Sequence, residues 1–369
     1  MPDTRTEALF LTAVAHINRI ATAVPPHDVH DAFVTLARTL LPDERSRTVF
    51  ERMAERSGIA HRYAVLQPGR VEQGEMDNAG FYRRGAFPST AARMRLYEEF
   101  APALAAEAVA RLGVDLAGVT HLVAASCTGF SAPGLDLQIA RRVGLRADVE
   151  RTLIGFMGCS AAVPALRAAR HIVRSDPEAR VLVVCCELSS LHLQESAVLE
   201  EVLSFLLFAD GCGAALVTAE PAGLALEDFR NAVIPDSAGF ITWHVGDTGF
   251  EMHLSGKVPG RIAAVLREDA ERGGADGLLR GVPASEYGLW AVHAGGRTVL
   301  DAVEQGLELG EGALRHSRGV LRDFGNMSSA TVLFVLERIL REAAPAGTRG
   351  LGMAFGPGMV AEGFRFRTT

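Results

Sequence analysis

The sequence has no C-x-x-C pair and no even set of cysteines. Its five cysteines, Cys127, Cys159, Cys185, Cys186 and Cys212, therefore do not read as a disulfide framework, and their spacing offers no metal-ligand pair. Cys185 and Cys186 adjoin in a strand-like run, so their side chains are expected on opposite faces. Also missing is any apolar run of the ~18 to 20 residues that a membrane-spanning helix needs. The opening stretch MPDTRTEALFLTAVAHINRI reads as a first strand rather than a signal peptide. Its charges are mixed, and no small-residue cleavage site follows a long apolar run. The expectation is a cytoplasmic protein without a membrane partner. No basic face dominates, and the net charge is -7, which speaks against a nucleic-acid partner. An anionic substrate would have to be met by a local cluster. No low-complexity tract or flexible linker divides the chain.

What is present is 369 residues, 48% of them hydrophobic, enough core for one large domain or two packed ones. The pattern alternates helix and strand. Segments 31–57, 89–112 and 135–145 read as helices, and VTHLVAAS (119–126) and ARVLVVCCEL (179–188) read as buried strands. RTLIGFMGCSAA (151–162) runs from a strand through a Gly-Cys step into a helix. A long helical segment is expected between residue 188 and the strand DGCGAALVTAE (210–220). After Pro221 the grammar restarts: a strand GLALEDFRNAVI, a helix at 258–274, a strand into a Gly-rich turn at 287–296, helices at 297–309 and 327–344, and a strand pair at 351–366. The alternation implies an α/β fold, with a duplicated arrangement of residues 1–220 and 221–369.

Three residues carry candidate chemistry. Cys159 stands at a strand end before a helix, where free N–H groups and the helix dipole favour a thiolate. A buried cysteine at a tight turn fits the same local pattern. His293 closes the strand LWAV, a place suited to catalysis in α/β folds, although a hydrogen-bonded turn histidine also fits. Asn326 lies at a loop-to-helix boundary, where asparagine is also a favoured cap. Their joint occurrence at strand ends and helix starts is what singles them out.

The motifs SCTGFSAPGLD (126–136), GFMGCSAA (155–162), FADGCGAALV (208–217), VHAGGRTVLDAVEQGL (292–307), DFGNMSSATVLFVL (323–336) and AFGPG (354–358) resemble those of the type III polyketide synthases. This is the chalcone-synthase-like branch of the thiolase superfamily, and the motifs run in the family's order. The resemblance implies a thiolase-like fold of duplicated αβαβα halves in a five-layer sandwich, and a homodimer. It implies that Cys159 accepts the acyl group and that His293 and Asn326 polarise the malonyl thioester. Phe208 matches a gatekeeping phenylalanine. Arg52 and Arg56 match residues that hold CoA phosphates, while a third, lysine position is occupied by Val49. Ser328 and the run Phe355, Gly356, Pro357 and Gly358 match cavity-lining positions, and Cys127 aligns with a cavity cysteine. No cofactor is implied beyond acyl-CoA and malonyl-CoA as substrates.

The chain departs from the family pattern in several places. Ala294 replaces a proline in the His-Pro-Gly-Gly turn, which should loosen it. Met252 stands where plant relatives have a second gatekeeping phenylalanine, and Trp243 where they have glycine, so the cavity should be reshaped. Pro164 falls early in the helix after Cys159, so that helix should start late or irregularly. Segment 241–260 is similar to members that make alkylpyrones and alkylresorcinols from fatty acyl starters. The mechanism implied is attack by a Cys159 thiolate paired with imidazolium His293, then decarboxylative condensation with malonyl-CoA. Three rival readings remain at this level: a ketoacyl synthase III that elongates once, a non-catalytic partner in a biosynthetic complex, and a generic cysteine hydrolase.

Overall fold

The structure is a computed structural model and describes residues 13–369 apart from Gly74. Of the opening stretch, residues 1–12 lie outside the described residues, and Ala15–Ala23 form strand β1. A short strand β2 (His27–Asp28) leads to helices α1 (His30–Leu40) and α2 (Glu44–Arg56). The sequence suggested one helix over 31–57, and Pro42 is why there are two. The residue before it, Leu41, is driven to an extended conformation. Asp43 then restarts the helix by accepting from Ser46 N at 2.9 Å. Next come β3 (Tyr63–Ala64), α3 (Thr90–Arg111), β4 (His121–Ser126), α4 (Leu135–Arg142), β5 (Glu150–Gly155) and α5 (Ala162–Ser175). A 3-10 turn at Gly158–Ser160 precedes α5, so Pro164 falls in the first turn, where its missing N–H costs nothing.

The first half closes with β6 (Val181–Leu188), α6 (Leu199–Phe205) and β7 (Asp210–Thr218). The long helix expected after residue 188 does not form. Asp210 accepts from Ser190 N at 2.8 Å, and His192 accepts from Phe250 N at 2.9 Å while its Nε2 meets Thr128 O at 2.6 Å. These long-range anchors hold the segment out of α-helix until Leu199. The second half comprises β8 (Leu224–Val233), β9 (Ile241–Gly246), β10 (Gly249–Leu254), α7 (Val258–Arg272), β11 (Leu289–Val292), α8 (Arg297–Leu307), α9 (Arg315–Phe324), α10 (Thr331–Glu342), β12 (Arg349–Gly356) and β13 (Val360–Thr368).

Nine strands share one ladder in the order β11-β12-β13-β8-β1-β7-β6-β4-β5. The halves meet where β1 pairs with β8 over only three residues, Ala15 to Ile17. Side chains alternate between two cores, as the two-residue period of a strand requires. Val123, Val183 and Cys185 join the helices α5 and α10 in the central core, where Leu289 and Ala291 of the second half also lie. Leu122, Val184 and Cys186 face α3 and α4 on the outside of the first half. Trp290 and Val292 face α7 and α8 on the outside of the second. The layers therefore run helix, sheet, helix, sheet, helix, with α5 and α10 in the middle. No helix among the described residues is long and apolar enough to cross a membrane.

Candidate active site

Cys159, His293 and Asn326 come from three separate strand ends and loops, and the fold brings them to one place. Gly158 has φ +58°, a left-handed conformation that favours glycine, and a Cβ there would meet Pro357 Cδ at 2.5 Å. This turn carries Cys159 into a small cavity of about 20 Å³. The Asn326 amide lies 3.9 Å (Nδ2) and 4.0 Å (Oδ1) from Cys159 Sγ, although 167 residues separate the two. Asn326 Oδ1 accepts from Ser328 N at 2.9 Å, and Nδ2 donates to Gly295 O at 3.2 Å. Asn326 does not cap a helix: the helix starts at Thr331 with Ala330 at its cap position, and the Asn326 side chain faces the cavity residue Cys159. Its oxygen closes a local turn, which leaves its N–H donors aimed across the site.

The Asn326–Gly295 bond also answers the expectation about Ala294. A second bond, Gly295 N to His293 O at 2.9 Å, closes the turn, so the backbone is held without a proline ring. His293 is 2% exposed, and neither of its ring nitrogens has a partner among the described residues. Two orphaned buried nitrogens are costly, and such groups call for a partner from the substrate.

Phe208, Met252, Trp243, Cys127, Ser328 and Pro357 all line the same cavity as Cys159. Trp243 stands opposite Met252 in the β9–β10 hairpin, and its Nε1 donates to Cys127 O at 2.7 Å. The indole thus forms a wall braced by the chain on the far side of the cavity. Cys127 both packs and lines: its Sγ is 3.2 Å from Ser328 Oγ. The run 355–358 contributes less than expected. Phe355 packs in the core of the second half rather than the cavity, because successive β12 side chains alternate and Phe355 points outward. A Cβ on Gly356 would clash with Ser160 Oγ, so that glycine permits close backbone approach. Gly358 has φ +76° and donates its N–H to Ile241 O at 2.9 Å. Arg52 and Arg56 are exposed on α2, and neither has an acidic partner among the described residues.

The electrostatics differ from the sequence expectation. Burial pushes the Cys159 thiol up to about 11, against smaller lowering by hydrogen bonds from Ser328 and Asn326. Burial alone pushes His293 down to about 3. Both shifts disfavour charge, so the resting pair is a thiol and a neutral imidazole, not thiolate and imidazolium. The start of α5 does not overcome the desolvation.

Several residues with roles here escaped the sequence reading. Glu187, fully buried, accepts from Cys127 N at 2.9 Å, from Thr128 Oγ1 at 2.7 Å, and from Ser329 Oγ. It ties the loop after β4 to the turn that carries Asn326, and burial raises its carboxyl above the usual range. An acid inside the apolar run VLVVCCEL was a legible signal, since buried carboxylates need a reason. A second cavity of about 90 Å³, walled by Phe33, Leu36, Leu66, Met76 and Leu193, meets the first at Ser189 and Phe208.

Two family models match the chain in succession, the N-terminal domain of chalcone and stilbene synthases over residues 5–221 and the C-terminal domain over residues 226–369. The chain belongs to the chalcone and stilbene synthase family. Members of this family are type III polyketide synthases, acyltransferases that carry out decarboxylative condensation with acyl-CoA and malonyl-CoA. The chain is 32% identical over 378 residues to the alpha-pyrone synthesis polyketide synthase-like Pks18 of Mycobacterium tuberculosis, covering 96% of this chain and 91% of that protein. It superposes on PKS-I of the brown alga Ectocarpus siliculosus with a TM-score of 0.85 at 30% identity, over 97% of this chain and 99% of that one. CsyB, solved with CoA bound, shares the fold with a TM-score of 0.81 at 24% identity, covering 96% of this chain and 100% of that one. The thiolase-like five-layer arrangement is that of these polyketide synthases.

Proposed function

We propose that this polyketide synthase loads an acyl-CoA starter on Cys159, extends it repeatedly with malonyl-CoA, and releases a cyclised alkylpyrone or alkylresorcinol. The observation that carries the reading is the enclosed meeting of Cys159 with the Asn326 amide, beside a His293 whose ring nitrogens are both unpartnered among the described residues. Because no group among the described residues sets the tautomer of His293, one imidazole can serve two steps. In loading, it takes the thiol proton as Cys159 attacks the acyl carbonyl, then returns it to the departing CoA sulfur. In extension, malonyl-CoA loses CO2 to leave an enolate, and the oxyanion receives hydrogen bonds from His293 N–H and Asn326 Nδ2–H. Losing one such donor typically costs ~3 to 4 kcal/mol of barrier. The carbanion then attacks the Cys159 thioester, the Cys159 thiolate leaves, and the chain, two carbons longer and now carried on CoA, is transferred back to Cys159 with release of CoA for the next round. Neutral resting groups suit this cycle, since the second step needs a donor that is not already paired with a thiolate.

An alkyl starter is supported by the apolar second cavity beside Phe208 and by the naming of Pks18 for alpha-pyrone synthesis. Arg52 and Arg56 are the proposed CoA phosphate contacts, and no cofactor beyond the CoA thioesters is invoked. We place the enzyme in the cytoplasm as a homodimer. β5 is an open sheet edge with exposed Leu153, and exposed Phe130, Phe156 and Met157 lie in the adjoining loops, a surface suited to a second copy.

The test is to offer the isolated protein a panel of acyl-CoA starters with malonyl-CoA and no carrier protein, and to read the products by mass spectrometry. Pyrones or resorcinols support the proposal. A single 3-ketoacyl product would favour the ketoacyl synthase III reading, and no CO2 release would favour a non-catalytic partner.

A further inference from the structure

Arg62 is an arginine in the core of the first half, 3% exposed, in the same stretch FERMAERSGIAHRY as Arg52 and Arg56 but without a role assigned from it. Its Nη1 donates to Phe205 O at 2.8 Å and to Phe208 O at 2.7 Å. Its Nε donates to His30 Nδ1 at 3.2 Å, and its guanidinium lies 4.8 Å from the centre of the Phe33 ring. The two carbonyls bracket the turn that leaves α6, so the cation also sits at a helix C-terminus, where its charge is favoured. That turn is the one that presents Phe208 to the cavity. It is also bonded in both directions to the Asn326 segment: Asn326 N donates to Leu207 O at 2.8 Å, and Ala209 N donates to Asn326 O at 2.9 Å. The same arginine packs against the glycine before Asn326. A Cβ on Gly325 would meet Arg62 Cγ at 2.8 Å and Leu207 O at 2.9 Å. Just ahead of Arg62, Ala60 N and His61 N donate to Arg322 O at 2.7 and 3.0 Å, close to the end of α9.

We propose that Arg62 is a positioning residue that sets the Phe208 gate and the Asn326 oxyanion donor relative to each other. It lines the second cavity beside Phe208 and makes no contact with Cys159. It acts by clamping the single turn that both depend on: Nη1 alone holds both carbonyls while Nε reaches His30. Lysine at this position could offer its one nitrogen to the two carbonyls but has no second donor for His30. The inference rests on the roles proposed above for Phe208 and Asn326.

Position matters here because a misplacement of about 1 Å near reacting atoms costs on the order of a hundredfold in rate. The consequence is selective. Starter loading needs Cys159 and His293, which Arg62 reaches only indirectly, through the Asn326 amide and Gly295 O, whereas malonyl decarboxylation needs the Asn326 amide itself as a donor. In Arg62→Met, acyl-enzyme formation should stay within about threefold of wild type while CO2 release from malonyl-CoA falls by about tenfold or more. Arg62→Lys should fall between the two, and added guanidinium ion should restore part of the decarboxylation in a folded Arg62→Ala variant. His30→Phe, which removes only the Nε partner, should show the same pattern more weakly and serves if the Arg62 variants fail to fold. Equal loss of loading and decarboxylation in these variants, or decarboxylation at the wild-type rate, would overturn the proposal. A wild-type protein that releases no CO2 would instead count against the proposed function itself.

Discussion

Replacing Gly158 by alanine tests how the nucleophile is held. Gly158 has φ +58°, and its missing Cβ would lie 2.5 Å from Pro357 Cδ and 2.8 Å from Pro357 Cγ. The substitution carries two costs. The left-handed backbone costs an L-residue roughly 1–2 kcal/mol. The steric overlap must be relieved by moving Pro357 or the turn, and overpacking of this kind costs about 1–3 kcal/mol. The sum is ~2 to 5 kcal/mol, and for a chain of this length each kcal/mol lowers Tm by about 1–2 °C. The catalytic effect should be larger than the stability effect. Pro357 belongs to the β12–β13 turn, a rigid ladder of the second half, so Cys159 is the part that yields. A shift of Cys159 by about 1 Å predicts on the order of a hundredfold slower acyl-enzyme formation. The assay is covalent labelling of the folded variant by a radiolabelled acyl-CoA, followed by mass. Adding Pro357→Ala removes the overlap but not the backbone strain, so the double variant should recover only part of the loss, and the cycle separates the two terms. Loading at the wild-type rate in Gly158→Ala would refute the reasoning that this turn sets the sulfur's position.

Cys159→Ala should abolish covalent labelling by starter; a label that persists would remove Cys159 from the role of nucleophile. His293→Gln should lower CO2 release from malonyl-CoA by about a hundredfold or more, as loss of an oxyanion donor does elsewhere. With Cys159 at about 11 and His293 at about 3, the thiolate fraction rises with pH throughout the neutral range. Alkylation of Cys159 by iodoacetamide should therefore climb about tenfold per pH unit from pH 6 to 9, whereas a plateau beginning below pH 7 would mean a preformed ion pair. Trp243→Gly deletes a cavity wall and the bond to Cys127 O. It should shift the products toward longer or bulkier ones, read by liquid chromatography with mass detection, while lowering stability by about 3–5 kcal/mol.

Much of the site was legible because its signals are local. A cysteine after Gly158, a histidine at a strand end and an asparagine before a helix are recognisable within a few residues, and the motif order supplied the family. Pro42 announced a break that the helical composition around it obscured. The segment after residue 188 reads as helix because its own residues favour one, yet Asp210 and Phe250, distant in sequence, hold its start in a single 3-10 turn, Ser189–His192. Arg62 and Glu187 were passed over because a charged residue's role depends on what encloses it.

By itself the sequence determined the alternation of helices and strands, the two similar halves, the family and the candidate nucleophile, since period, turn chemistry and motif are written in neighbouring residues. Tertiary structure alone decided the rest. Strand order in the nine-stranded ladder, the approach of Asn326 to Cys159 across 167 residues and the narrowing of the cavity by Trp243 all come from long-range pairing. So does the charge of the catalytic pair. A pKa is set by desolvation, and desolvation is a property of the packed whole, which is why burial pushes the Cys159 thiol up where its local turn suggested a thiolate.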